Sequence, residues 1–344
     1  MGMVATIEDY SAAIVLPNMV KARQLRGGHP VERGGRIVRY AGGFCIVFPY
    51  EVPGLRRHKY AVRFWHTEVD GLQHRLETVA RALKGSRLPY FIPFEYEPEA
   101  LLTAKGVQPA VIMDWVDAKP LKRYIAENLD RPRKLEALAD SFLRMSMDLH
   151  RSRFSHGDLQ HGNILVRPDG SLVLVDYDSM YVPGLEGMVD EIKGLGGYQH
   201  PSRWQHRTLS PKRDYFSELI IYTSILALAR HPGLWQKYRL EDSETMLFTE
   251  SDIATKGTSD VFRVLNADRE LRKYATAVKN AISRQDLDEL LPLEDIVNGP
   301  EQTVVRSLAD LWRDNGFRPE LYDSIDALFE HAAEIAAKWN RGGP

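Results

Sequence analysis

The chain has 344 residues, 44 % of them apolar and 27 % charged, the balance of a globular protein long enough to bury two lobes or two small domains. A formal net charge of −2 gives no global attraction to nucleic acid or to an anionic membrane, so neither is expected as a partner. The single cysteine, Cys45, excludes an intrachain disulfide and a thiolate metal cluster, which suits a cytoplasmic protein.

Residues 1–26 read as an irregular or helical extension. Three strand-like runs follow, at 36–40, 45–52 and 60–65. They are rich in Val, Ile, Phe and Tyr and are divided by Gly42-Gly43 and Pro53-Gly54. Apolar residues at 69, 72, 76, 79, 80 and 83 have helical spacing and predict a helix over 67–84. Two further strands are expected near 90–96 and 109–113. Helices are expected at 120–128 and 132–152, then two short strands near 163–166 and 172–176, then helices from 213 onward. The longest apolar run, 216–229, is broken by Ser217, Glu218, Tyr222, Thr223 and Ser224. It reads as a buried core helix and falls short of the roughly 20 apolar residues of a membrane span. Strands followed by helices predict an α+β chain with a break near 113–119.

One cluster carries chemistry. Residues 156–163 read His-Gly-Asp-Leu-Gln-His-Gly-Asn, and Asp176 stands thirteen residues after Asn163, at the end of an apolar run. Phosphoryl transfer needs a carboxylate beside the attacking hydroxyl and hard oxygen ligands for magnesium. Asp158 can be the carboxylate; Asn163 and Asp176 can be the metal ligands. A turn at Pro168-Asp169-Gly170 would return the second strand and bring these two together.

On these residues the chain resembles the protein-kinase-like superfamily over roughly 36–300. His156 to Asn163 looks like the kinase catalytic loop, and Asp176-Tyr177-Asp178 looks like its Asp-Phe-Gly motif. More narrowly, it is similar to a bacterial Ser/Thr-kinase-like group with HGDLQHGN…VDYD motifs. The resemblance implies a bilobal protein-kinase fold that binds ATP and Mg, with a β-rich N-lobe at 27–114 and a mostly helical C-lobe at 115–300. The 1–26 extension precedes them, and extra C-terminal helices at 301–344 follow, with apolar stripes that pack on the C-lobe or serve self-association or a partner. It implies that Asp214 anchors the backbone at His156 and that Gly197-Tyr198-Gln199-His200-Pro201 ends the activation segment. It also implies that Ala61 lines the adenine pocket, that Met113 is its gatekeeper, and that Asp114-Trp115-Val116 form the hinge.

The phosphate-gripping half departs from the family pattern. Val47 aligns after a glycine loop that keeps Gly42 and adds Gly43, with Tyr40 and Cys45 at the other glycine positions. Arg63 stands where the third strand carries lysine; it keeps the charge on a planar, bulkier head. Glu77, fourteen residues on, is the candidate partner for that cation, with a surface glutamate as the alternative. Gln160 occupies the position of the lysine that assists the transferred phosphate, so Arg63, magnesium or His161 must supply charge. Gly157 replaces the arginine that receives an activation-loop phosphate, which argues against switching of that kind. Asp178 replaces a glycine and can face metal or solvent. The expected function is an atypical Ser/Thr-type protein kinase with an unspecified protein substrate. A nucleotide-binding pseudokinase scaffold and a small-molecule kinase of the aminoglycoside or choline type are the alternatives.

Overall fold

A computed structural model describes residues 4–54 and 57–299. The expected helical tail at 301–344 lies outside the described residues. The architecture is mixed α+β: a sheet forms the N-terminal region and helices form the C-terminal region, the bilobal arrangement of a kinase-like fold.

The chain opens with helix α1 (Ile7–Ala13), whose start is fixed by a capping box between Thr6 and Asp9. Short strands β1 (His29–Pro30), β2 (Glu32–Arg33), β3 (Arg36–Ile37) and β4 (Tyr40–Ala41) follow. The run expected as one strand at 36–40 is thus split. Its first half pairs back on β2, and its second half joins the main sheet. The sheet is built on β5 (Cys45–Val52) and β6 (His58–Trp65), then helix α2 (Leu72–Ser86), then the long hairpin β7 (Phe94–Thr103) and β8 (Gly106–Asp114). Strand order is β1-β5-β6-β8-β7, with β4 also on β5. The sequence pattern shows only the two ends of the β7–β8 hairpin. A register shift between Glu97 and Leu101 interrupts the alternation on which such patterns rest.

Alternation along β5, β6 and β8 gives the sheet two different faces. Ile46, Phe48, Tyr50, Val62, Phe64, Ala110 and Ile112 form one face, and the N-terminal segment covers it. Ala5, Tyr10, Ala13, Ile14, Val20, Ala22 and Leu25 all enter that core. Residues 19–22 also run along β7, where Lys21 and Ala22 N–H groups donate to Ala100 O and Leu102 N–H donates to Met19 O. The segment that reads as an extension therefore packs as a layer of the sheet. The opposite face presents Cys45, Val47, Ala61, Arg63 and Met113 to a cleft.

Beyond β8 come β9 (Lys119–Pro120), α3 (Leu121–Ala126) and the long amphipathic α4 (Pro132–Arg151), with proline at its first turn. The hairpin β10 (Ile164–Val166) and β11 (Leu172–Leu174) follows. Its turn is closed by Asp169, whose carboxylate accepts from the Ser171 N–H at 2.9 Å. Helix α5 (Tyr215–Arg230) is buried over 13 of its 16 residues, as expected for the apolar run, and packs on α4. Two of its hydroxyls are accommodated within the helix: Ser217 and Ser224 donate to carbonyls one turn back. Shorter helices α6 (Leu234–Lys237), α7 (Glu250–Ala254), α8 (Asp260–Ala267) and α9 (Arg272–Ser283) follow, and α10 (Leu293–Asn298) ends the described chain. No helix among the described residues is long and apolar enough to cross a membrane.

Tyr10 measures how far the N-terminal layer supports the sheet. It is 1 % exposed, its ring stacks on Phe64 at 4.7 Å, and its hydroxyl donates to Trp65 O at 2.7 Å. Tyr10→Ala is expected to lower unfolding stability by about 3 kcal/mol through the cavity it leaves. Tyr10→Phe should lose about 1 kcal/mol, the net worth of one hydrogen bond. Chemical denaturation followed by tryptophan fluorescence reads both.

Candidate active site

Helix α4 delivers the chain to the loop at 155–163. Asp214, at the start of α5, fixes the loop's path: its carboxylate accepts from the His156 N–H and, at 2.8 Å, from the Gly157 N–H. Gly157 has φ +79°, and a Cβ built there would lie 2.1 Å from Arg213 Nη2 and 2.4 Å from Ser179 O. The position therefore admits only glycine, because the buried Arg213 guanidinium fills the space a side chain would need. His156 is buried, and its Nε2 bonds Val175 O at 2.9 Å, joining the loop to the segment after β11.

The β10–β11 hairpin then does what its sequence implies. Val175 N–H donates to Asn163 O at 3.0 Å, which places Asn163 and Asp176 side by side at the open end of the hairpin. Asp176 sits in the left-handed region at φ +72°, a conformation aspartate tolerates better than most residues. Tyr177 next to it is buried. Its hydroxyl donates to Leu174 O at 2.7 Å and accepts from the Ile92 N–H at 2.9 Å, while its ring stacks on Phe94. This anchor fixes the direction in which Asp176 and Asp178 leave the strand.

Asp158 lies next to Asn163. Its Oδ2 accepts from Asn163 Nδ2 at 3.1 Å and its Oδ1 from the Leu195 N–H at 2.9 Å. Burial raises its carboxyl above the ordinary range, outweighing those hydrogen bonds. Asn163 also donates to Asp158 O at 2.8 Å. Its amide nitrogen is committed to Asp158, and its oxygen is left as an acceptor.

Arg63 closes the site from the sheet side. Its Nη1 donates to Asp176 Oδ1 and its Nη2 to Asp178 Oδ2, both at 2.7 Å. Trp65 Nε1 donates to the same Asp178 oxygen at 2.8 Å. Burial alone would lower the guanidinium's affinity for its proton, but the two carboxylates outweigh burial and raise it. Burial pushes Asp176 up, yet Arg63 overrides it and holds Asp176 below the usual carboxylate range; for Asp178, more deeply enclosed, burial wins. The Asp178 side chain is thus turned away from solvent and held by Arg63 and Trp65.

Glu77 does not pair with Arg63, contrary to the expectation from spacing. It is exposed and accepts from Gln73 at 2.9 Å on its own helix. Helix α2 begins at Leu72, after Gly71, and buries Arg75, Leu76, Val79 and Leu83. Glu77 falls outside that stripe. The inward charged residue of α2 is instead Arg75, 1 % exposed, which donates to Asp178 O at 3.0 Å and Val189 O at 2.8 Å. The charges are exchanged: the helix supplies a cation, and the chain after β11 supplies the anion. A charged residue at a stripe position, Arg75 between Leu72 and Val79, was the available signal.

A cleft of about 400 Å³ opens beside Arg63. Val47, Ala61, Met113, Leu165 and Val175 give it apolar walls; Asp114, Trp115 and Val116 line it at the hinge, and Asn163 and Asp176 at its polar end. Asp114 pairs with His58 at 2.7 Å, and Lys59 lies over the Trp115 ring at 4.3 Å. Gly42 and Gly43 form the tip of the β4–β5 hairpin, where Gly42 N–H donates to Cys45 O at 2.8 Å. Tyr40 and Cys45 from that hairpin line the cleft, whereas the two glycines lie beyond its walls. Burial pushes the Cys45 thiol up to about 11, so it is a small wall residue rather than a nucleophile.

These residues fit a nucleotide and a hard cation. Arg63, whose guanidinium carries the positive charge a phosphate seeks, lines the cleft wall. The Asn163 oxygen and the Asp176 carboxylate are the donor set magnesium prefers. Gln160, by contrast, turns its Oε1 onto the Gly162 N–H at 2.6 Å and shapes the loop. His161 is no cation either. Burial, with Lys122 nearby, pushes it down to about 4, and its Nδ1 bonds the Tyr198 hydroxyl at 2.7 Å. Of the charges expected to replace the missing lysine, His161 is therefore excluded at neutral pH.

Comparison with known proteins agrees with this geometry. Residues 104–183 match the model of the ABC1 atypical kinase-like domain. The match runs from the β7–β8 hairpin through α4 and the loop at 155–163 to beyond Asp178. The serine/threonine-protein kinase rio2 of Schizosaccharomyces pombe is 36 % identical over 70 residues, 20 % of this chain and 19 % of that protein. Both matches are to kinase-like proteins, in keeping with the mixed α+β, kinase-like fold, and each covers less than a quarter of the chain.

Two measurements probe the site. Glu77→Ala should change stability by no more than about 0.5 kcal/mol, as for an exposed residue. Asp178→Ala should cost about 3–5 kcal/mol, because it leaves Arg63 buried with one partner fewer. Second, His161 has its folded pKa below the unfolded 6.5, so the unfolded chain binds more protons between the two values. Its contribution is complete above pH 6.5 and is lost as pH falls toward 4. The melting temperature should drop across that window, and less so in His161→Gln.

Proposed function

We propose that this protein is a Mg-ATP-dependent phosphotransferase of the atypical protein-kinase type, acting on a serine or threonine hydroxyl of a protein in the cytoplasm. One observation carries the reading: Arg63, Asn163 and Asp176 line one end of a cleft with apolar walls from Val47, Ala61, Met113, Leu165 and Val175, and Asp158 is hydrogen-bonded to Asn163 beside it. Arg63 from the sheet meets the loop and hairpin residues there, and together they offer the groups that phosphoryl transfer requires.

Mg-ATP supplies the transferable phosphoryl group and the metal's positive charge. The chain's own residues position and hold protons. The apolar walls from Val47, Ala61 and Leu165 bind a flat base by excluding water, and backbone groups at 114–116 read its edge. Arg63 attracts phosphate oxygen, its charge fixed by two carboxylates. Asn163 and Asp176 offer oxygen to the cation. Asp158 accepts the acceptor hydroxyl's proton. Its raised proton affinity brings it nearer the working pH, which favours that role. The segment 194–199 borders Asp158 and forms the platform for an extended peptide, which favours a protein over a small-molecule acceptor.

A second reading, a nucleotide-binding scaffold, draws on one feature: both Arg63 Nη atoms are already held by carboxylates. Phosphate transfer from labelled ATP, measured with the purified protein and general protein acceptors, tests the proposal. Wild type should show Mg-dependent incorporation. Asp158→Asn should lose roughly 10²–10⁴-fold in rate while keeping the ATP-induced rise in melting temperature. Asp176→Asn should lose both. An ATP-induced rise without turnover on any acceptor would select the scaffold and overturn the kinase.

A further inference from the structure

The segment from Asp178 to Arg203 is tied down by three buried arginines, none of which the nucleotide cleft uses. Arg75, on α2, donates to Asp178 O and Val189 O, the two ends of one excursion of the chain. Arg213 joins nearly the same two points, donating to Ser179 O and, at 2.6 Å, to Asp190 Oδ1. Arg203 donates from Nε to Asp190 Oδ2 at 2.7 Å and from Nη2 to Oδ1 at 3.2 Å. Its remaining donors reach Gln199 Oε1 at 2.7 Å and Gly157 O at 3.0 Å. Asp190 and Arg213 are each 2 % exposed and Arg203 is 0 % exposed.

One carboxylate thus faces two buried guanidinium groups and, at 3.4 Å, the Lys193 ammonium. Burial, with Arg203 beside it, pushes Arg213 down to about 10, and Asp190 and Asp214 oppose that shift. The same guanidinium that holds Asp190 also holds the catalytic loop at Gly157 and the platform at Gln199. From there the chain passes Gly194, where a Cβ would lie 2.6 Å from Asp158 Oδ1, and Leu195, whose N–H bonds Asp158. Gly157 makes the arrangement feasible, because Arg213 occupies the space a side chain at 157 would take.

We propose that Asp190 is a positioning residue: its fixed carboxylate, clamped by Arg203 and Arg213, holds the 191–199 platform against Asp158 permanently and so does the ordering work that a regulatory phosphate would otherwise do. This rests on the kinase reading for its catalytic consequence, and on the arginine cluster alone for its structural one. The site it defines is a buried anion site filled by the chain itself. Its class of substitute ligand is a small carboxylate or phosphate.

Trypsin supplies a readout independent of turnover, since Lys193 is the one Lys or Arg between Arg167 and Arg203. Wild type should resist cleavage after Lys193, and prior phosphatase treatment should change neither that resistance nor the phosphorylation rate. Asp190→Ala should be cut after Lys193 at least tenfold faster and lose at least tenfold in phosphorylation rate, with the ATP-induced rise in melting temperature retained. Sodium formate at 0.1 M, against chloride at equal ionic strength, should restore protection and rate, and Asp190→Glu should restore them partly. If Asp190→Ala does not fold, Asp190→Asn, which keeps the shape and removes the charge, is used in its place. Slow cleavage in the charge-removing variant, or fast cleavage that neither formate nor glutamate slows, overturns the proposal. If wild type transfers no phosphate while the trypsin and formate results hold, the kinase reading fails and the positioning role of Asp190 stands.

Discussion

A guanidinium buried between a sheet and a helical region is the constraint around which this molecule is arranged. Arg63 cannot be enclosed at 7 % exposure without anions at hydrogen-bond distance, because the desolvation of an unpaired charge costs several kcal/mol. Asp176 and Asp178 meet that need from one short stretch, and the stretch must therefore leave β11 along a fixed path. Tyr177 between them locks the path from below, and Trp65 holds the second carboxylate from the sheet side. The same pairing links the face of the sheet that lines the cleft to the loop bearing Asp158 and Asn163. The cation centre thus serves as a structural joint and as the phosphate-gripping end of the site.

Charge relocation recurs across the molecule. The helix that would offer a glutamate offers Arg75, and the glycine after Asp176-Tyr177 has become the missing anion, Asp178. The catalytic-loop arginine has become Gly157, and Arg213 from the start of α5 fills the space and reaches Asp190. Arg63 and Arg213 keep carboxylate partners, whereas Arg75 donates to backbone carbonyls. Such exchanges preserve the electrostatic balance of a buried site, which depends on the sum of nearby charges and not on which element carries them. A family pattern read position by position registers them as losses; in three dimensions they are compensations.

The N-terminal layer shows a different dependence. One face of the sheet lines the cleft and cannot also be packed by a helix without closing it. Its other face carries Phe48, Phe64 and Tyr50, and it is covered by residues 5–25. The sheet that positions Arg63 therefore owes its rigidity to a segment remote from the cleft. Tyr10 reaches Trp65 O, and Trp65 reaches Asp178, so the layer and the cation centre share one residue.

The sequence by itself determined the elements and the acidic half of the site. Strands at 45–52 and 60–65, the α4 and α5 helices and the β10–β11 hairpin follow from local periodicity and turn chemistry, which act over a few residues. The Asp158, Asn163 and Asp176 spacing is local in the same sense, because one loop and one hairpin carry all three. Only the tertiary structure decided the partner of Arg63, the exclusion of Glu77, the role of Gly157 and the cluster at Asp190. Those depend on which buried groups meet across separations of 13 to 115 residues. Coulomb energy is set by distance and burial in space, and neither is written in the spacing of residues along a chain.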